Sequence, residues 1–399
     1  MKILYFSTRL PLPIRSELLA DVKIYDGASG EVYSNSIFSG LAENKVEMVN
    51  VNVAPTGHYP KMNKRLFGKT RVCEESECKV LDVGCCNLFV YRPYSVGIHV
   101  YAALKHYLKD YHPDVMLVYA LNIPIIRAAL KYKKNYSPTS KIVLIVPDLI
   151  EDMYSGKDLC TWLKKQLFGD YQKLYTAFDG FVYVSELMKE QIGEKKPYCV
   201  VECMYNTAEN YLKPQKQGKE KIILYSGKLH AKFGVKHLVD AFMLTSNKDL
   251  RLQICGNGDS KEYIREMSQK DKRIEFLGQL ERTDVMNYQS KASLLINPRM
   301  PEGRFTRYSF PSKNMQYLAS GIPTLIYKLP GIPEEYYDYC FTLGEEDVTK
   351  ERLAKKMEQI FMRTDEELNS IGEKARQWVV RTKNEKAQCK KMIDFMESL

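Results

Sequence analysis

One short stretch in the second half of the chain, residues 308–323, specifies a loop, a helix and the start of a strand in succession. Pro311 suits the first turn of a helix, and Ser309 and Ser312 can each accept a hydrogen bond from the free amides there. Apolar residues then recur with helical spacing until Gly321, and a proline two positions later ends the pattern. The stretch therefore predicts a helix that begins near Pro311 and leads into a buried strand.

The N-terminus of this helix is predicted to bind an anion. Free amides and Lys313 in the first turn favour a phosphate at that end of the helix. Upstream, residues 224–235 form a strand that breaks into a loop containing Gly227 and Lys228, ahead of a second helix. We expect Lys228 and Lys313 to bind a diphosphate jointly, whereas the alternative is that both lysines are simply solvated.

Length and composition favour two α/β domains. The chain has 399 residues, of which 45% are hydrophobic and 27% charged, as in ordinary globular proteins. No apolar run approaches the length of a membrane span, and the N-terminal strand lacks the pattern of a signal peptide. We expect a cytoplasmic protein with reduced thiols. The ten cysteines and six histidines form no metal-binding motif, so no metal site is predicted.

The first half alternates buried strands with amphipathic helices. Continuous apolar runs at 113–119 and 141–146 are typical of parallel strands buried on both faces. A loop excursion is predicted over 56–78 and a strand over 80–91. Asp148 follows the 141–146 strand, where loops of parallel sheets carry ligands; it could cap the next helix or hold an acceptor hydroxyl.

Positive charge is concentrated in the first domain. Residues 61–141 contain fourteen Lys or Arg against six Asp or Glu, while the whole chain has a net charge of +10. Such an excess could face an anionic membrane surface, or it could be a solvated face. We expect an association with the inner face of a membrane and no nucleic-acid partner.

Five motifs of the second half occur in a characteristic order: Gly227-Lys228…Lys232-Phe-Gly234, Gly256-Asn-Gly258, Ile274-Glu-Phe-Leu-Gly278, Leu295-Ile-Asn-Pro-Arg299 and the 308–323 stretch. Their order resembles the donor half of a retaining glycosyltransferase of family 4, which has the GT-B fold. The resemblance implies two Rossmann-like doubly wound domains that face a central cleft. It assigns 1–210 to an acceptor-binding domain, 211–375 to a donor-binding domain, and 376–399 to a helix that packs back on the first.

The resemblance also implies the site. Lys228, Lys313 and Asp148 would be the catalytic residues. The remaining donor-binding positions would be Gly227, Lys232, Gly256, Asn257, Gly258, Tyr308, Ser309, Phe310, Pro311, Ser312 and Gln316. Tyr308 and Gln316 stand where the family has two glutamates, and the Phe-Pro-Ser-Lys motif between them is similar to a branch involved in surface polysaccharide assembly.

The implied reaction transfers a hexose from a UDP- or GDP-linked donor to a glycan or polyprenol-linked acceptor, with retention and without a metal. An alternative is an inactive GT-B module that acts as a binding partner in polysaccharide assembly. A nucleotide-sugar epimerase would need clustered acids and histidines. A dehydrogenase would need the third glycine that Gly256-Asn-Gly258 lacks.

Overall fold

The structure, a computed structural model, describes residues 1–25, 29–149, 171–193, 195–207, 212–215, 218 and 220–399. The chain forms two compact units, one made of residues 1–204 and 385–399 and the other of residues 205–384.

The first unit is built on one eight-stranded sheet with the strand order β3-β4-β2-β1-β5-β6-β7-β8. Its strands are β1 Lys2–Ser7, β2 Glu47–Asn52, β3 Arg71–Glu75, β4 Cys78–Asp82, β5 Val115–Tyr119, β6 Lys141–Val146, β7 Gly180–Tyr183 and β8 Tyr198–Val200. All neighbours pair in parallel except β3 and β4. Every residue of β5 is buried, and in β1 and β6 only the first residue is exposed. Their continuous apolar sequences predict this burial.

Helices cover this sheet. They are α1 Arg15–Ala20, α2 Ser29–Glu43, α3 Arg92–Tyr107, α4 Ile123–Tyr136, α5 Tyr171–Tyr175, α6 Lys189–Ile192 and, from the end of the chain, α13 Glu385–Glu397. α13 packs closely on α2, since a Cβ added to Gly40 would lie 2.2 Å from the Glu385 carbonyl oxygen.

The loop predicted over 56–78 is wrong at its end, because β3 and β4 form an antiparallel hairpin there. The turn uses Ser76 and Glu77, both with positive φ, instead of the glycine or asparagine that signals such a turn. β3 is an edge strand whose residues alternate between exposed and half-buried, so its apolar signal is weak. The strand predicted over 80–91 ends at Asp82.

The second unit contains a six-stranded parallel sheet with the order β11-β10-β9-β12-β13-β14. Its strands are β9 Lys221–Ser226, β10 Leu250–Cys255, β11 Ile274–Gly278, β12 Leu294–Asn297, β13 Thr324–Tyr327 and β14 Phe341–Leu343. Its helices are α7 Val235–Met243, α8 Lys261–Lys270, α9 Arg282–Lys291, α10 Ser312–Ser320, α11 Lys350–Ile360 and α12 Asp365–Thr382. Each unit is thus a doubly wound, Rossmann-like α/β layer structure.

Residues 376–399 do not form the single helix that the resemblance implies, because the chain breaks between α12 and α13. Thr364 begins α12 with a capping box to Glu367, and the Asn384 amide donates to the Val380 carbonyl at 2.8 Å where the helix ends. No proline or glycine marks this break in the sequence. No helix in the described ranges is long and apolar enough to cross a membrane.

Candidate anion-binding site in the second unit

The loops that follow β9 and β10 are joined by backbone contacts. Gly227 N–H donates to the Cys255 carbonyl at 3.0 Å, and Leu229 N–H donates to the Asn257 carbonyl at 2.9 Å. Gly256 has φ of 138°, and a Cβ there would lie 1.8 Å from the Gly227 carbonyl oxygen. Only glycine permits this approach, so the two loops form one surface at the carboxyl edge of the sheet.

Asn257 and Gly258 shape the same surface. The Asn257 Oδ1 atom accepts a hydrogen bond from Gly258 N–H at 2.9 Å, and its Nδ2 atom donates to Gln279 Oε1 at 3.3 Å. A Cβ on Gly258 would lie 2.5 Å from the Leu229 backbone. These two residues therefore hold the second loop against the first.

The N-terminus of α10 lacks the caps that the sequence predicts. The helix begins at Ser312, with Pro311 as its N-cap residue and without a side-chain cap hydrogen bond. Ser309 Oγ instead accepts from Arg299 Nη2 at 2.6 Å and donates to the Phe305 carbonyl. The predicted capping by Ser309 and Ser312 is therefore wrong, and no side chain in the described part of the chain caps the start of the helix.

Lys313 connects this helix end with the glycine loops. Its side chain is half-buried, and a Cβ on Gly227 would lie 3.4 Å from Lys313 Cε. Among the described residues, no carboxylate forms an ion pair with the Lys313 ammonium group. Lys313 thus places an uncompensated cation against the first glycine loop.

The pKa of Lys313 is lowered, first by burial and further by the positive charge of Arg282, while Cys255 acts in the opposite direction. Burial raises the pKa of the Cys255 thiol to about 11, and Lys313 opposes that rise. A bound anion would supply the negative charge that stabilises protonated Lys313. The electrostatics therefore favour an anionic ligand at this point.

Lys228 and Lys232 have different surroundings. Lys228 is exposed, and its backbone carbonyl accepts from the Tyr225 hydroxyl at 2.8 Å, which fixes the loop that carries it. The Lys232 ammonium nitrogen lies 5.2 Å from the centre of the Phe233 ring and 5.7 Å from that of Phe305. Lys232 therefore makes cation–π contacts in the described structure, whereas Lys228 projects from the glycine loop.

Two arginines that the sequence analysis did not assign to the site lie close to it. Arg282 is the first residue of α9 and lies near enough to Lys313 to influence its pKa. Arg299 is buried, and its guanidinium carbon lies 4.3 Å from the centre of the Phe305 ring. The proximity of Arg282 to Lys313 has no signal in local sequence because these residues follow different strands, β11 and β12. Arg299 and Phe305 lie in the same segment after β12.

The other residues of the 308–323 stretch divide into buried and accessible positions. Tyr308 and Phe310 are buried, and the Phe310 ring centre lies 5.0 Å from that of Tyr336. Gln316 is half-buried and follows Lys313 by three positions, which places both on one side of α10. Gln316 is thus accessible from the side of the helix that carries the cation, while Tyr308 and Phe310 pack inside.

Tyr317 fixes α10 relative to β9. Its hydroxyl accepts from Ser226 N–H at 3.0 Å and donates to the Ser226 carbonyl at 3.1 Å, with all of these groups buried. The last residue of β9 is therefore bonded directly to α10, one position before Gly227. This double contact sets the distance between the glycine loop and the helix end.

Asp148 belongs to the first unit and is exposed at the end of β6. It contributes to raising the pKa of Tyr119, although burial is the larger cause. The Tyr119 hydroxyl donates to the Gly30 carbonyl at 2.7 Å, so Asp148 lies in the neighbourhood of the α2 N-terminus. The structure of the second unit groups Lys228 and Lys313, and Asp148 is not part of that group.

The arrangement in the second unit can bind and polarise a phosphate group. It offers two lysines, one nearby arginine and backbone amides at a helix start, which are the usual partners of phosphate oxygens. In the described ranges, no three His, Cys, Asp or Glu side chains are grouped so that they could hold a metal ion.

A family model for glycosyl transferases group 1 matches residues 207–378, which include every residue of the site just described in the second unit. A comparison with curated protein sequences finds no match.

Solved structures with low sequence identity share the fold over the whole chain. Sucrose-phosphate synthase from Thermosynechococcus elongatus has a TM-score of 0.66 and 14% identity, covering 100% of this chain and 98% of that one. The lipopolysaccharide outer core galactosyltransferase WaaB has a TM-score of 0.62 and 15% identity, covering 100% and 99%. Anabaena HepE in complex with UDP has a TM-score of 0.62 and 11% identity, covering 100% of both chains. The chain therefore has the GT-B fold, and its residues 207–378 match the family model for glycosyl transferases group 1.

Proposed function

We propose that the chain transfers a hexose from a nucleotide sugar to a glycan or lipid-linked acceptor, with retention of anomeric configuration, as a family 4 enzyme of the Phe-Pro-Ser-Lys branch. The observation that carries the proposal is the position of Lys313, half-buried at the uncapped start of α10 and against Gly227. A diphosphate is the ligand that such a site suits best.

The structural neighbours support UDP as the nucleotide. HepE is described in complex with UDP, with UDP and glucose, and with UDP-glucose. These ligands belong to HepE, and at 10 to 11% identity they make UDP the first donor nucleotide to test. The chemistry of the site by itself is compatible with UDP or GDP.

The cations and amides would act on the leaving group. As the bond between sugar and diphosphate breaks, negative charge grows on the phosphate oxygens, and fixed donors aimed at that charge lower the barrier. Lys313 and the α10 amides are held in place before the donor binds, while exposed Lys228 closes on it. Transfer on the same face of the sugar needs no side-chain nucleophile.

Two further roles follow from the resemblance. Gln316, on the same side of α10 as Lys313, would hydrogen-bond the ribose hydroxyls through its amide. Asp148, exposed after a parallel strand of the first unit, would orient the acceptor hydroxyl. Surface glycan synthesis at the cytoplasmic face of a membrane is the setting that the resemblance implies.

The second candidate function is a GT-B module that binds a nucleotide sugar without transferring it. The observation in its favour is the absence of a carboxylate at Tyr308 and Gln316, with Tyr308 packed inside. Release of UDP from UDP-sugars in the presence of wild-type chain distinguishes the two, because a binding module would retain the donor intact.

The donor site is tested by titrating UDP, UMP and uridine into wild type, Lys228→Ala and Lys313→Ala. Both variants should bind UDP about 10- to 100-fold more weakly, since a hydrogen bond to a charged group contributes ~1.5–3 kcal/mol, and bind uridine as wild type does. Lys272→Ala, an exposed lysine of the same unit, is the matched control. Equal UDP affinity in all four proteins would show that Lys228 and Lys313 do not form the donor site.

A further inference from the structure

An exposed apolar ridge lies at the start of α3 in the first unit. The turn before the helix and its first turns carry large apolar side chains that are 42 to 67% exposed. The ridge consists of Leu88, Phe89, Val90, Tyr91, Tyr94 and Ile98. Because Tyr94 and Ile98 are four positions apart, they lie on one side of the helix. Monomeric proteins rarely expose so many large apolar side chains in one place unless the surface binds something.

A groove runs beside the ridge, between α3 and α4. The two helices approach closely, since a Cβ on Gly97 would lie 3.4 Å from the Pro124 carbonyl oxygen. The groove has a volume of about 330 Å³ and is lined by Tyr94 and Ile98 on one side and by residues of α4, including Lys131, on the other. Apolar and basic groups thus meet in one surface.

The charged side chains of α3 and α4 have a single sign. α3 and α4 contain no Asp or Glu, while Lys105, Lys131 and Lys134 are exposed on them. Within the described part of the chain, none of these three ammonium groups forms an ion pair. The Lys131 nitrogen lies 4.2 Å from the centre of the Tyr101 ring, so this cation is held next to an aromatic group.

Some other basic residues of the first unit form ion pairs. Arg65 pairs with Asp21, and Arg71 lies 2.8 Å from Glu17. On α4, Lys133 pairs with Asp179 at 2.9 Å. The charges of Lys105, Lys131 and Lys134 therefore differ from these, because they have no carboxylate partner among the described residues.

We propose that the apolar ridge and the lysines of α3 and α4 dock the first unit on an anionic bilayer. Aromatic and aliphatic side chains that project from a basic surface suit the membrane interface, where the rings enter the headgroup region and the lysines meet anionic lipids. A second copy of this chain would bring the same positive face against itself, which the uncompensated lysines oppose. The docking rests on the proposed function, because a lipid-linked acceptor is presented at such a surface.

The test is co-sedimentation with vesicles of phosphatidylcholine alone and of equal parts phosphatidylcholine and phosphatidylglycerol. Two double variants test the two parts of the surface separately. Val90→Asp with Ile98→Asp changes the apolar ridge, and Lys131→Glu with Lys134→Glu changes the basic residues. Each should bind anionic vesicles about tenfold more weakly than wild type, a change of ~1.4 kcal/mol. Wild type should prefer the anionic vesicles, and salt should weaken its binding.

Matched controls use the second unit. Met362 is 82% exposed and Lys272 is exposed, so Met362→Asp and Lys272→Glu make the same exchanges away from the ridge and should leave vesicle binding unchanged. UDP titration of every variant shows that the second unit is intact, and a failure of UDP binding in wild type would challenge the donor site without affecting the vesicle result. Equal binding of wild type to neutral and anionic vesicles would overturn the proposal. So would a wild-type chain that dimerises in size-exclusion chromatography together with a Val90→Asp/Ile98→Asp protein that is monomeric but binds vesicles normally.

Discussion

Replacement of Lys313 by Met should separate the binding role of this residue from any structural role. Methionine keeps an apolar stem against Gly227, where a Cβ would lie 3.4 Å from Lys313 Cε, but removes the charge. Burial and Arg282 lower the pKa of Lys313 in the folded protein, whereas the unfolded chain restores its ordinary value. A lysine whose pKa is lowered on folding opposes folding while it is protonated.

The sign of the stability change follows from this shift. Below the lowered pKa of folded Lys313, both states carry the proton, and the folded state bears the unfavourable charge. Ligand-free Lys313→Met should therefore have a Tm equal to or above that of wild type. As the pH rises through the lowered folded pKa, wild type loses the proton and the difference should shrink. Thermal unfolding at neutral and alkaline pH measures this difference.

Although Lys313→Met should not lower the Tm of the ligand-free protein, it should weaken nucleotide binding. UDP affinity should fall by about 10- to 100-fold, corresponding to the ~1.5–3 kcal/mol of a hydrogen bond to a charged group, and saturating UDP should raise the Tm of wild type more than that of the variant. Lys272→Met, on the exposed surface of the same unit, should change neither quantity. A ligand-free variant that is clearly destabilised yet binds UDP like wild type would show that Lys313 supports the fold and would refute the reasoning.

Two other substitutions test the site. Gln316→Glu should retain or tighten UDP-sugar binding, and Gln316→Ala should weaken it by about 1 kcal/mol; three identical titration curves would remove Gln316 from the ribose. Gly256→Ala should lower the free energy of unfolding by about 2 kcal/mol or more, because its Cβ would lie 1.8 Å from the Gly227 carbonyl oxygen. Gly218→Ala, which meets no atom within 4 Å, is the control in urea unfolding, and equal losses would contradict the close-approach argument.

The sequence predicts the layers of the fold well because burial of parallel strands leaves a local signature. Strands such as β6 are continuous apolar runs between polar breakers, and the predicted GT-B fold is confirmed. The β3–β4 hairpin was missed because its turn uses Ser76 and Glu77, and its edge strand buries little. The break at Lys383–Asn384 was missed because α12 and α13 belong to different units, a tertiary constraint that helical periodicity does not report.

The candidate site was only partly predictable because its contacts join segments that are distant in the sequence. Glycines such as Gly256 are visible in the sequence, but the approach of its loop to Gly227 is a contact between strand ends. Ser309 was a reasonable cap by position, yet the buried Arg299 competes for its hydroxyl at 2.6 Å. Arg282 belongs to no motif, and it influences Lys313 only because the sheet brings the ends of β11 and β12 to the same edge.

The two lysines of the site should serve different purposes because their surroundings differ. Lys228 is exposed, and salt screens its charge. We therefore expect Lys228 mainly to attract an anion and to contact it once it is bound. Lys313 is half-buried, and its charge is unfavourable in the ligand-free protein; that unfavourable energy is relieved only when a negative group arrives. A cation that opposes folding without its ligand, yet is fixed beside a helix end by the Tyr317–Ser226 contact, is better explained by binding than by stability. Neither Tyr308 nor Gln316 carries a carboxylate that could neutralise Lys313, so the diphosphate that we propose as ligand would be the principal source of negative charge in this part of the unit.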